Sequence, residues 1–219
     1  MKFYNSSNEE VNYHLLSKIG GGSYGSVYKL SEFECIKIFR ELDTGIDADT
    51  IAFINNLSLD NFSKIYSFLF NKRKDLRGYT MKYYLPSYTS ILLKDTSYTL
   101  DNFFAIYNSI NTLSDNQIFI PDLHSDNVIL GNDEITIIDI DIYAKAILFD
   151  PGKLKDKNSR ALFSLFKSLY IEGLYNHGIY SGYDIKTINN LFNNDAPSNI
   201  KVLKKYKYPI EYIHDMNRK

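Results

Sequence analysis

The spacing of hydrophobic positions changes near the middle of the chain. Up to Tyr84 most apolar residues fall in short runs rich in β-branched and aromatic side chains, the signature of strands. Tyr13–Ile19 reads as a strand that runs into a glycine cluster, Gly20–Gly25. Ser26–Leu30 and Phe33–Phe39 read as a hairpin turning at Ser31–Glu32. Lys64–Leu69 and Tyr79–Tyr84 read as two further strands, which makes five. One segment departs from this rhythm: Ile51, Ile54 and Leu57 have helical spacing, so Asp49–Leu57 is predicted as a short amphipathic helix capped by Asp47 or Asp49.

Beyond Ser87 the helical period dominates. Leu100–Leu113 and Arg160–Leu174 are predicted as buried helices, the second capped by Asn158 or Ser159. Weaker helices are expected near Ile185–Asn193, near Ile200–Tyr206 and at the C-terminus. Among them lie Gln117–Leu130, read as a loop with a short strand, and Glu134–Ile138, read as an apolar strand. There is no internal repeat and no Pro/Gly/Ser linker, and one boundary is expected at Tyr84–Ser87. The expected fold class is α+β. Residues 1–84 form a small antiparallel β lobe with one helix, and residues 85–219 form a reduced, mainly helical lobe.

Composition narrows the field of functions. The chain has 219 residues, enough for one large domain or two small lobes with a real core. Apolar residues make up 44% and charged residues 23%, ordinary for a globular protein. A formal charge of −1 argues against a nucleic-acid binder driven by phosphate attraction. With Cys35 as the single cysteine no intrachain disulfide can form; with no signal peptide at Met1–Glu10, a reducing, cytoplasmic setting is expected. No apolar run approaches the length of a membrane span.

Four motifs carry chemistry. Gly20-Gly21-Gly22-Ser23-Tyr24-Gly25-Ser26-Val27 fits G-x-G-x-x-G-x-V, in which Gly20, Gly22 and Gly25 let the backbone approach phosphates closely. A dinucleotide fold needs a helix directly after the glycines, whereas a strand follows here. Next, Lys37 is a lone charge in the apolar run Ile36-Lys37-Ile38-Phe39. Asp122-Leu123-His124-Ser125-Asp126-Asn127 fits D-x-x-x-x-N, and Ile135-Thr136-Ile137-Ile138-Asp139-Ile140-Asp141 is an apolar strand ending in aspartates. Phosphoryl transfer needs a carboxylate near the acceptor hydroxyl and oxygen ligands for magnesium. Asp122 can supply the first, and Asn127 and Asp139 the second, with Asp141 close enough to help. Any one motif has a plain structural alternative: a flexible hairpin, an outward lysine, polar loop caps. All four in this order, with strands among them, are hard to explain that way.

Over roughly Leu15 to Asp141 the sequence resembles the protein-kinase-like superfamily, which holds both eukaryotic-type protein kinases and small-molecule phosphotransferases. The resemblance implies a two-lobed fold and the use of ATP and Mg²⁺. It implies Gly20, Gly22 and Gly25 over the phosphates, Val27 and Cys35 against adenine, and Lys37 on the α- and β-phosphates. Met81 takes the gatekeeper place, and Lys82-Tyr83-Tyr84 the hinge that holds adenine by its backbone. Asp122 becomes the catalytic carboxylate, and His124 stands where a lysine usually faces the γ-phosphate.

Departures from the pattern shape the functional reading. Ile120-Pro121-Asp122 replaces H-R-D, so control through a phosphorylated activation loop is not expected. Asp122-Leu123-His124 and Asp139-Ile140-Asp141 resemble the small-molecule branch. No Glu occurs between Glu41 and Glu134 to play the helix glutamate; Thr50 falls at that position, which makes Asp49 or Asp139 the expected partner of Lys37. The leading expectation is a kinase acting on a hydroxyl, a protein Ser/Thr ahead of a small molecule. The alternatives are a nucleotide-binding pseudokinase and an interaction protein that binds no nucleotide.

Overall fold

The structure, a computed structural model, describes residues 2–40, 46–84, 100–131, 134–172, 201–216 and 218. The chain divides into two compact units. One comprises Met1–Ser58, Ser63–Pro86 and Ile140–Ile142; the other comprises Leu59–Phe62, Ser87–Asp139 and Tyr143–Lys219. The architecture is α+β, with an antiparallel sheet and one helix in the first unit and mainly helices in the second.

The first unit is built on a seven-stranded sheet, two strands more than the sequence pattern suggested. Its strands are β1 (Phe3–Asn5), β2 (Glu10–Val11), β3 (Lys18–Gly21), β4 (Gly25–Lys29), β5 (Glu34–Phe39), β6 (Ile65–Phe70) and β7 (Leu76–Lys82), in the order β2-β1-β6-β7-β5-β4-β3. The extra pair is the hairpin β1–β2. It is held because Phe3, 1% exposed, enters a cluster with Ile36, Ile38 and Leu69, over which Val11, Tyr13, Leu16 and Tyr28 pack. The strand expected at Tyr13–Ile19 is a 3-10 turn at Tyr13–Leu15 followed by β3. The turn brings Tyr13 onto Phe3, with ring centroids 4.9 Å apart. Helix α1 (Ala48–Asn56) starts at Asp47, whose side chain accepts from the Asp49 amide, and it buries Thr50, Ile51 and Ile54. Asn55 clips α1 to β6: its amide donates to Ile65 O and accepts from Ile65 N, both at 2.9 Å.

In the second unit α2 (Leu100–Asp115) packs on α3 (Pro151–Phe166), with Phe103 and Phe166 in edge contact at 4.8 Å. Four short strands form two hairpin-like pairs. β8 (Ile118–Phe119) pairs with β11 (Ala144–Lys145), and β9 (Val128–Gly131) with β10 (Glu134–Ile137). Helix α3 begins nine residues before the expected Arg160. Asp150 caps it by accepting from Lys153 N, and Pro151 occupies the first turn, where a missing N–H costs nothing. Asn158 and Ser159, expected as caps, are buried inside it. A π-helical stretch, Lys167–Glu172, continues it. Near the C-terminus α4 (Pro209–Met216) follows a helical turn at 201–203. The helix expected at 185–193 and residues 85–87 of the expected boundary lie outside the described residues.

Candidate active-site residues

Strand register decides which side chains of the sheet unit share a face, because directly opposed residues point the same way. Gly20 lies opposite Val27, Val27 opposite Lys37, and Lys37 opposite Tyr79; Cys35 lies opposite Met81. Gly20, Val27, Cys35, Lys37 and Met81 therefore lie on one face, while Ile36 and Ile38 alternate to the other and enter the Phe3 cluster. The glycine segment is the β3–β4 hairpin turn, with Gly22 N donating to Gly25 O at 3.0 Å. A side chain at Gly25 would sit 2.5 Å from Ile38 O, so packing alone demands glycine there. At Gly22 a side chain would meet nothing within 4 Å, so packing does not account for that glycine.

Lys37 is 4% exposed, and its ammonium is satisfied within the same unit. Nζ lies 3.0 Å from Asp141 Oδ2 and donates to Oδ1 at 3.2 Å, in a charge-assisted pair with both side chains almost fully buried. Asp49 or Asp139 was the expected partner; the carboxylate found on Lys37 is Asp141, from the 3-10 turn Ile140–Ile142, and Asp49 is exposed in the first turn of α1. Its burial removes the plain alternative of an outward-pointing lysine.

The base-side residues are buried or already engaged. Cys35 is 3% exposed and points its Sγ at Lys82 O, 3.5 Å away. Burial, with Glu34 adding like charge, pushes its thiol up to about 12. Met81 is buried and Lys82 exposed. Tyr83 N donates to Phe33 O at 2.8 Å, which extends the β5–β7 pairing and occupies one of the backbone donors expected for adenine.

In the helical unit the D-x-x-x-x-N segment folds on itself. Asn127 Nδ2 donates to Asp122 O at 3.0 Å and lies 3.5 Å from Asp122 Oδ2. His124 Nε2 is 3.2 Å from Asp122 Oδ1, and His124 Nδ1 accepts from Asp126 N at 3.2 Å. Asn127 Nδ2 also lies 3.3 Å from His124 Nε2, so this nitrogen faces both Asn127 and the Asp122 carboxylate. His124 caps the 3-10 turn Ser125–Asn127 and lies beside the Asp122 carboxylate. Ile138 N donates to Asn127 O at 2.9 Å and ties the loop to the end of β10. The next residue, Asp139, has φ 59°, a left-handed conformation that a short polar side chain tolerates and that recurs at functional turns.

Asn127 and Asp139 carry oxygen donors of the kind magnesium takes, while Asp141, also expected near the metal, is engaged with Lys37. Asn127 spends its NH₂ on Asp122, which leaves Oδ1 as an oxygen donor, and Asp139 is a hard carboxylate. Among the described residues no three His, Cys, Asp or Glu side chains gather as a self-sufficient metal site. Two protein oxygens suit a magnesium ion that keeps waters and substrate phosphate oxygens in its remaining positions.

No protein-family model and no curated protein matches the chain. Among solved structures it is similar to Legionella pneumophila Lpg2603 kinase bound to IP6, at 14% identity and a TM-score of 0.46 over 87% of this chain and 74% of that chain.

Three supporting residues were not singled out from the sequence for these roles. Asn158 is fully buried on α3: its amide donates to Ile118 O and to Ser114 Oγ, both at 2.9 Å, and its Oδ1 accepts from Ile120 N at 3.2 Å. It thereby fixes the strand that leads into Asp122. The signal was a polar residue in the apolar row Leu154-Asn158-Leu162. Asn61 donates from Nδ2 to Ile135 O at 3.1 Å and accepts Ile137 N on its backbone at 2.7 Å, which pins β10 ahead of Asp139. Gly78 lets β7 approach β5, since a side chain there would sit 2.0 Å from Lys37 O.

Proposed function

We propose that the chain is an ATP- and Mg²⁺-dependent phosphotransferase of the protein-kinase-like kind. The observation that carries the reading is Lys37: a lysine held buried on the face of the glycine hairpin by a carboxylate that follows β10. Burying an ammonium costs several kcal/mol unless it is paired, on the order of the net stability of many domains, so such a lysine in a strand interior calls for a functional reason. In this reading Lys37 binds the α- and β-phosphates, and Gly22, with open space above it, admits the phosphate chain. Asn127 Oδ1 and Asp139 hold magnesium, which supplies charge neutralisation on the phosphates.

Asp122 does the positioning. It accepts a hydrogen bond from the acceptor hydroxyl and directs the oxygen at the γ-phosphorus. As the bond from phosphorus to the β-γ bridging oxygen breaks and the bond to the acceptor oxygen forms, the hydroxyl proton passes to Asp122. A loose transition state requires little proton removal early, so orientation supplies most of the gain. His124 and Asn127 hold the Asp122 carboxylate from two sides. The acceptor is a hydroxyl, a protein Ser/Thr ahead of a small molecule. A nucleotide-binding pseudokinase is the second reading, favoured by the engaged Tyr83 amide and by a Lys37 pair whose carboxylate, Asp141, comes from the 3-10 turn after β10 and not from α1.

Thermal denaturation with ATP and Mg²⁺ tests nucleotide binding, because a ligand that binds only the folded chain raises its Tm. Transfer of labelled phosphate to a cell lysate and to a panel of small alcohols tests chemistry. The enzyme reading expects a raised Tm and transfer that Asp122→Ala cuts at least about a hundredfold. A raised Tm with no transfer selects the pseudokinase, and an unchanged Tm removes both.

A further inference from the structure

A three-residue apolar tip projects from the helical unit where β11 leads into α3. Ile147, Leu148 and Phe149 are 70%, 95% and 44% exposed. Phe149 N donates to Ala146 O at 2.9 Å to close the turn, and Asp150 caps α3 immediately after it; the Phe149 ring stacks on Phe119 at 6.1 Å, which leaves Ile147 and Leu148 foremost. Single exposed apolar residues are ordinary, but three large ones in succession at a turn mark a contact surface.

Exposed lysines flank the tip on β11 and on the first turns of α3. Lys157 Nζ lies over the Phe119 ring at 4.2 Å and the Phe149 ring at 5.5 Å. Lys153 is exposed one helical turn earlier in the same row, and Lys145 is exposed two residues before Ile147. Of the acids in this region, Asp156 pairs with Arg160 and Asp115 with Lys155, while Asp150 keeps its charge at the N-terminus of α3, where it accepts from Lys153 N.

The charge of the tip selects its occupant. An exposed apolar turn beside exposed lysines matches hydrocarbon flanked by anionic headgroups. We propose that this tip docks the chain on an anionic membrane surface. Leu148 and Ile147 enter the acyl boundary, with Phe149 at its edge, and Lys145, Lys153 and Lys157 meet lipid phosphates. No helix among the described residues is long and apolar enough to cross a membrane, so the mode is peripheral. The inference is independent of the phosphotransfer reading.

Co-sedimentation of the full chain with phosphatidylcholine vesicles, with and without phosphatidylserine, tests it. Binding is expected only with phosphatidylserine and should weaken as salt rises. Leu148→Asp should weaken it by about tenfold or more, and Lys153→Glu combined with Lys157→Glu by a similar factor. Leu148 is almost wholly exposed, so the melting temperature of Leu148→Asp should match wild type and exclude a folding defect. No binding to either vesicle, or equal binding by Leu148→Asp, overturns the proposal. So does a wild-type dimer that Leu148→Asp converts to monomer, because the tip would then cover a second copy.

Discussion

Lys37 keeps its charge out of water and relies on Asp141 for compensation. Removing one partner of such a pair strands the other charge, at a cost of about 3–5 kcal/mol, while replacing both with apolar residues is often close to neutral. Asp141→Asn is therefore expected to lose about 3 kcal/mol or more in urea denaturation, and Lys37→Met with Asp141→Leu to recover most of it. A single variant as stable as wild type would show that the pair is not buried in solution. Cys35 makes a second residue-scale prediction. Its thiol ordinarily titrates at 9.0 and is pushed up to about 12 by burial. Above 9.0 the unfolded chain releases this proton while the folded chain keeps it, so stability contributed by the protonated thiol falls as pH rises toward about 12. Cys35→Ala should flatten the alkaline limb of a stability–pH curve recorded by denaturant titration, and parallel limbs would refute the assignment.

At the scale of elements, legibility followed local chemistry. The β3–β4 and β4–β5 hairpins were readable because glycines and β-branched runs punctuate them, and α1 because Asp47 precedes a helical period. Helix α3 was read nine residues short because its first two turns are polar: Gly152, Lys153, Lys155, Asp156 and Lys157 show no apolar stripe. The Asp150-Pro151 pair that starts it is a cap signal that period-counting ignored. The hairpin β1–β2 and the two-residue strands β8 and β11 are too short to carry a period at all, and distant contacts such as Phe3 with Leu69 define them. In the candidate site, motif spacing nominated the residues but could not give their partners, because Asp141 reaches Lys37 through tertiary structure. Asn158 tests how far α3 supports the Asp122 loop. Asn158→Leu leaves Ile120 N and Ile118 O without their partner and should cost about 2–4 kcal/mol by chemical denaturation. Under the proposed reading it should also lower kcat more than KM for ATP. A stable Asn158→Leu with unchanged kcat would make it a packing residue only.

Over the whole molecule, the two units do not correspond to two continuous halves of the sequence. The sheet unit takes Ile140–Ile142 from far downstream, and the helical unit takes Leu59–Phe62 from upstream. A fragment of residues 1–84 contains every strand of the sheet yet lacks Asp141, so Lys37 has no compensating carboxylate from that turn. Such a fragment is expected to show no cooperative thermal transition by circular dichroism, and adding Lys37→Met should restore part of it. A cooperative melt of the unmodified fragment would show that the sheet does not depend on the downstream turn.

The separation of 104 residues that joins Lys37 to Asp141 also sets a schedule for synthesis. At roughly 5–20 residues per second, a ribosome needs about 5–20 seconds to add the aspartate after the lysine. During that interval the finished strands hold an uncompensated cation, so the nascent sheet waits unconsolidated and exposed to chaperones until its last small piece emerges.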